Sequence, residues 1–296
     1  MRMNVKTLFM FLGVVTVATG CSFSISSPST PSEAEQVATV VAATMQALTA
    51  MPSEESATQG VTPPGGNPIS FGNVSFVIPD GLADGANTDR MTAVETSSTA
   101  PWDIAPTHLR FTLTDYALQG KFHEPRIYVY PAEEYARSNP GAAEQIERLR
   151  RILTGSPPMR ETLPVVPFFN ASPLMSANIH LMSFQSGRGV RSLTQYAQYA
   201  APVNNNELFY HFQGLTGDGE YYIVATLPVT APILAEDEKT ESSVPPEGVP
   251  VPTDVGPNDV YYISVTQELN ALASEAYTPA LDALDALIQS LQITEP

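Results

Sequence analysis

A single cysteine, Cys21, in a chain of 296 residues constrains the fold more than any other feature. One thiol cannot close an internal disulfide, so the folded part must be held together by buried apolar surface alone. Hydrophobic residues make up 43% of the chain, enough for a sizeable core. Lys and Arg number 14 against 31 Asp and Glu, a formal net charge of −17. Such an acidic surface excludes electrostatic docking on nucleic acid or on anionic lipid and favours solubility.

The cysteine also has a telling position. Arg2 and Lys6 form a short positive segment, and Leu8 to Ala18 is apolar and uncharged. That run is too short for a membrane span, which needs about 20 apolar residues, and it has the length of a secretory signal core. Ala18, Thr19 and Gly20 then lead into Cys21 in the phrase VATGCS. This resembles the lipobox of bacterial lipoproteins, with Ala18 where that signature usually carries leucine. The resemblance implies that residues 1–20 are a signal peptide and that Cys21 becomes the mature N-terminus. There it would carry a thioether-linked diacylglycerol and a further acyl chain such as palmitate. Two or more acyl chains anchor a protein stably, whereas one does so only marginally. Lipidation also removes the oxidation liability of an exported free thiol. Loss of Arg2 and Lys6 takes the net charge from −17 to −19. The implied location is the cell envelope, membrane-anchored and facing outside the cytoplasm.

Residues 21–68 read as a tether. Ser22 to Pro31 is Ser/Pro-rich, and Ser53 to Pro68 ends in PPGGNP; both favour extended linkers. Between them an Ala-rich stretch at about 33–50 opens with Glu33 and Glu35 and spaces Val37, Val40, Val41, Met45 and Leu48 as a helix would. A lone helix of this length is marginal, so it reads as a partly helical spacer.

Residues 69–296 read as one folded domain. FGNVSFVIP and HLRFTLTDY alternate apolar and polar residues, and RIYVYP is a short strand closed by Pro131. Residues 132–153 are helical, with Asn139 as cap, Pro140 at the first helical position, and Glu144–Arg148 and Glu147–Arg151 spaced for ion pairs. A Pro-punctuated loop is expected at 154–176. Strands IHLMSFQ and VRSLTQY flank a turn at SGRG, and ELFYHFQGL and EYYIVATLP flank a turn at TGDG. Gly217-Asp218-Gly219 lacks the alternating oxygen ligands of a calcium loop. Residues 235–257 form an acidic, Pro-rich insertion, expected to be a solvated loop. Two helices close the chain: one capped by Asn258, the second after Thr278-Pro279, with Asp282, Asp285 and Gln289 outward.

This order predicts an α+β fold with an antiparallel sheet packed by helices. The phrases VSFVIPDGL, DGEYYIVATLP and LDALIQSLQI resemble the PsbP-like α/β/α sandwich family, whose members generally serve as binding or accessory modules. That family's pattern carries no functional residue onto this sequence.

Chemistry-bearing motifs are sparse. His108, His123, His180 and His211 lack metal-ligand spacing, and the chain has no GxSxG elbow, P-loop or dinucleotide fingerprint. No catalytic residue, metal site or cofactor is assigned. Trp102 in TAPWDIAP is expected over the core edge, with an exposed stacking platform as the alternative. Arg188 and Arg191 in SGRGVR are the noticeable positive spot, read first as turn chemistry and second as an anion contact. The expectation is therefore an anchored exported lipoprotein with a non-catalytic binding or accessory domain and an envelope protein as partner. Its function is expected in the exposed loops 154–176 and 235–257. The alternative is an envelope hydrolase or small-ligand or anion binder, which requires a histidine meeting a serine or carboxylate in a pocket, or convergence of Arg188 and Arg191.

Overall fold

Gly72 and Asn73 reverse the chain between β1 (Gly66–Phe71) and β2 (Val74–Pro79). Gly72 has φ of +63°, the left-handed conformation such a turn needs. Val74, Phe76 and Ile78 point inward, as their alternation predicts. The computed structural model describes residues 65–294 except 96–99, 240–243, 247, 252–255 and 257–259. The expected signal peptide, Cys21, the helix at about 33–50 and the Asn258 cap lie outside the described residues. The described part belongs to one compact unit, Thr62–Pro296.

Two antiparallel sheets organise it. The larger joins β3 (Gly85–Met91), β4 (His108–Thr114), β5 (Arg126–Pro131), β6 (Ser172–Phe184), β7 (Gly187–Ala197), β8 (Phe209–Thr216) and β9 (Tyr221–Pro228) in the order β3-β4-β5-β9-β8-β7-β6. The smaller is β1-β2-β10, where β10 is Gln292–Ile293. After β5 the chain crosses one face of the large sheet through α1 (Ala132–Ser138) and α2 (Pro140–Leu153). It reaches the far edge at β6 and meanders back until β9 pairs with β5.

Side-chain parity divides the large sheet into two cores. Tyr210 and Phe212 of β8 and Ile223, Ala225 and Leu227 of β9 pack with β2, α3 (Val260–Ala271) and α4 (Leu281–Gln289). Tyr222, Val224 and Leu215 face the other way, against Ile146, Leu149 and Ile152 of α2. Both faces are covered, so every residue of β8 is buried. A helix layer therefore lies on each side of the sheet, and the α+β fold with an antiparallel sheet packed by helices is the one observed.

Local signals hold well. Leu109, Phe111 and Leu113 are buried on β4. The Asn139 side chain accepts from Gly141 N at 2.9 Å and Ala142 N at 3.3 Å, capping α2. Arg148 pairs with Glu144 at 2.6 Å.

Four expectations need correction. Glu147 pairs with Arg150, not Arg151, because (i, i+3) neighbours share a helix face as well as (i, i+4) ones. The β6–β7 reversal uses Gln185 and Ser186, since Phe184 pairs with Gly187; Gly187, Arg188 and Gly189 already belong to β7. The loop expected to run to 176 ends at 171, where β6 begins. The loop is also pinned at its middle: Leu163 and Val166 are buried in the α2-side core. There Gln145 Oε1 accepts from Val165 N at 3.2 Å, Gln213 donates to the Pro164 carbonyl, and His211 Nε2 meets the Val166 carbonyl at 2.7 Å. Buried side-chain amides and an imidazole thus partner backbone groups that regular structure leaves open. Finally, Asp285 does not face solvent. It is bridged to Arg191 at 3.2 Å and accepts from the Tyr210 hydroxyl at 2.8 Å.

Candidate functional site: an aromatic, acidic cleft

Arg188 and Arg191 are three residues apart on one strand, so they project from opposite faces. Arg188 donates to the Leu153 carbonyl at 3.1 Å on the α2 side. Arg191 is nearly buried on the α4 side, bonded to Asp285 and to the Asn178 carbonyl at 2.7 Å. The fold does not bring the two guanidinium groups together, and each bonds to other groups of the chain, Arg188 at the surface and Arg191 nearly buried.

The histidines divide similarly. His108 Nδ1 contacts the Pro106 carbonyl at 2.8 Å and its ring lies 4.4 Å from that of Tyr130. His180 is exposed on β6. His211 is buried against the Val166 carbonyl, and burial lowers its pKa to about 4. The hydrogen bonds of these rings run to carbonyls and an amide, not to a serine or carboxylate. Trp102 is 43% exposed in a short 3-10 turn rather than packed over the core.

His123 leads to a different place. Its ring stands 4.3 Å from that of Phe209, 4.9 Å from Phe122 and 5.2 Å from Phe169. Phe169 in turn meets Tyr196 nearly at right angles, 84° at 5.2 Å. The rings of Phe122, His123, Phe169 and Tyr196 wall a cleft of about 330 Å³ whose rim carries Tyr199, Glu207 and Glu238. The volume lies within the usual range for small-molecule sites. Beyond Asn170 and Tyr199 it adjoins a wider depression of about 710 Å³ reaching Arg160.

Five separate segments build this cleft. The β4–β5 connection supplies Phe122 and His123; the end of the Pro-rich loop supplies Phe169 and Asn170. The end of β7 supplies Tyr196, the β7–β8 connection Tyr199 and Glu207, and the start of the acidic insertion Glu238. Two ties fasten the insertion here. Lys121 pairs with Glu236 at 2.6 Å, and the Tyr199 hydroxyl donates to Glu238 at 2.5 Å. Hydrophobic side chains are left in water at the mouth: Phe122 is 66% exposed and Tyr199 61%.

The electrostatics of the cleft are one-sided. Burial raises the pKa of Glu207, and the charge of Glu238 raises it further; hydrogen bonds to Asn204 and Gln195 work against both. The hydrogen bond to Glu238 raises the pKa of Tyr199. Burial takes His123 down to about 4, so its ring is neutral at pH 7. The buried Nε2 of His123 has no hydrogen-bond partner among the described residues.

Of these residues, sequence reasoning considered His123 only as an isolated histidine and Glu238 only as part of a solvated charge run. Phe122, Phe169, Tyr196, Tyr199 and Glu207 were not singled out. Aromatic residues in connections, as in GKFHEP, VPFFNA and QYAQYA, are the signal that could have found them.

Among the described residues no group of three or more His, Cys, Asp or Glu could hold a metal ion, and no helix is long and apolar enough to cross a membrane. No family model, curated protein or solved structure matches this chain.

Proposed function

We propose that this chain is an exported lipoprotein, anchored to a membrane through lipid on Cys21, whose folded domain is a non-catalytic binding module. The cleft between Phe122, Phe169, Tyr196 and Glu207 is its ligand seat. The lipobox-like VATGCS after an apolar core of secretory length supports the anchor. The observation that carries the binding role is the cleft itself. It is a concave site of ligand size with steeply crossed aromatic walls and a few polar groups, and solvent-exposed aromatic rings stand at its mouth. Phe122 and Tyr199 stand exposed beside each other at this mouth, as apolar groups around a binding groove do.

Two experiments test this reading. Intact-mass measurement of membrane-extracted protein is expected to show acyl groups on Cys21, and Cys21→Ser is expected to leave the protein without them. An unmodified mature N-terminus at Ser22 or later would overturn the anchor. For the seat, a fragment panel of neutral, anionic and cationic small molecules is screened by saturation-transfer NMR against the full chain in non-ionic detergent. Hits are expected to weaken in Phe169→Ala and Tyr199→Ala. Binding that ignores both substitutions would remove the cleft from the function.

A further inference from the structure

The geometry points to a small organic ammonium as the ligand class of the cleft. This inference rests on the cleft being a ligand seat and adds what fills it. Three observations converge. First, the walls are π-faces set at steep angles: Phe169 against Tyr196 at 84°, His123 against Phe169 at 59°. A cation near such faces is attracted by the ring quadrupoles, most strongly where water is excluded. Second, both carboxylates at the rim carry the same sign, Glu207 half-buried and Glu238 close enough to act on it. A desolvated carboxylate beside a like charge is an unfavourable arrangement that a bound cation relieves. Third, the nearby cations are already committed. Lys121 is paired with Glu236 and Lys239 with Asp237. His123 is neutral at pH 7.

The arrangement discriminates against other classes. An anion would meet Glu207 and Glu238 on a chain of net charge −17. A phosphate-bearing headgroup suffers the same repulsion, so the inferred ligand is a free organic cation and not a lipid. A hydrated metal ion gains little from aromatic walls, whereas an alkylammonium offers both charge and apolar surface. Phe169, Tyr196 and Phe122 contact the alkyl groups, and Glu207 and Glu238 face the charge.

The test compares choline with its neutral isostere 3,3-dimethylbutan-1-ol, titrated by saturation-transfer NMR against the full chain in non-ionic detergent. Choline is expected to bind at least tenfold more tightly than the isostere. Glu207→Gln is expected to weaken choline at least fivefold while leaving the isostere unchanged, with an unaltered thermal melt showing that the variant is folded. Phosphocholine is expected to bind more weakly than choline. Equal affinities for choline and the isostere, or indifference of choline to Glu207→Gln, overturn the ammonium assignment. If neutral fragments still bind in the cleft in that case, the seat survives and only its ligand class is wrong. If no fragment of any charge is displaced by Phe169→Ala, the seat itself falls.

Discussion

At the scale of single residues, burial decides which polar groups matter. His211 is enclosed between the sheet and the Pro-rich loop, and its imidazole stays neutral because burial lowers its pKa to about 4. In the unfolded chain a histidine titrates near 6.5. Below that pH the unfolded state takes up a proton that the folded state refuses. The contribution of His211 is therefore present above pH 6.5 and lost as pH falls toward 4. At 1.36 kcal/mol per unit the loss amounts to about 3 kcal/mol. His123 acts in the same direction. Urea midpoints measured from pH 7 to 4.5 are expected to fall, and to fall less steeply in His211→Gln. An identical pH slope in that variant would contradict the buried neutral ring.

Arg191 and Asp285 give a second residue-scale prediction. Their side chains are only 10% and 17% exposed. Asp285→Ala strands a buried guanidinium and strips the Tyr210 hydroxyl of its acceptor, with an expected cost of about 3–5 kcal/mol. Replacing both partners, Arg191→Met with Asp285→Leu, is expected to restore much of that loss. Chemical denaturation of the three variants measures the difference. This pair was read from the sequence as a turn arginine and an outward aspartate. Helical periodicity put Asp285 on the polar face, and nothing local marks a partner 94 residues away.

At the scale of elements, local signals and long-range packing contribute separately. The α2 cap was legible because Asn139, Pro140 and the following apolar stripe act within one turn. Asn139→Ala is expected to cost about 1 kcal/mol in urea denaturation. The β7–β8 pairing was not legible in the same way. Gly189 and Gly214 stand opposite each other, and the ring of Phe212 fills the space beside them. A Cβ on Gly189 would lie 2.4 Å from that ring and from the Gln213 carbonyl. Gly189→Ala is therefore expected to destabilise by about 1–3 kcal/mol despite the better strand propensity of most residues over glycine. A neutral or stabilising result would show that Phe212 swings aside. In sequence Gly189 looked like part of a turn, since glycine marks both a chain reversal and a close packing contact. Only the register distinguishes them.

At the scale of the whole molecule, charge and topology act together. A net charge of −17 loads the native state with self-repulsion that salt screens. The melting temperature is expected to rise between about 10 mM and 150 mM NaCl, by the Debye screening of exposed charges. A fall would mean that the exposed Arg–Glu pairs outweigh the repulsion, contrary to the small value of such pairs. Topology accounts for the cleft. Because the chain crosses from β5 to the far edge before meandering back, the ends of the two long loops arrive beside the β4–β5 connection.

The sequence alone made legible most of the strands, the helices with most of their inward faces, and the two-residue hairpin, and it is the ground on which an export-type leader is proposed. Each depends on neighbours within a few positions: pleat alternation, the helical repeat, capping, turn chemistry and an apolar run beside a cysteine. Tertiary structure alone decided that Arg188 and Arg191 part to opposite faces, and that the middle of the Pro-rich loop becomes core. It also decided that Phe122, Phe169, Tyr199, Glu207 and Glu238 share one cleft. Those residues span more than a hundred positions, and their meeting depends on strand order and on which face each connection crosses, which no short window of sequence contains.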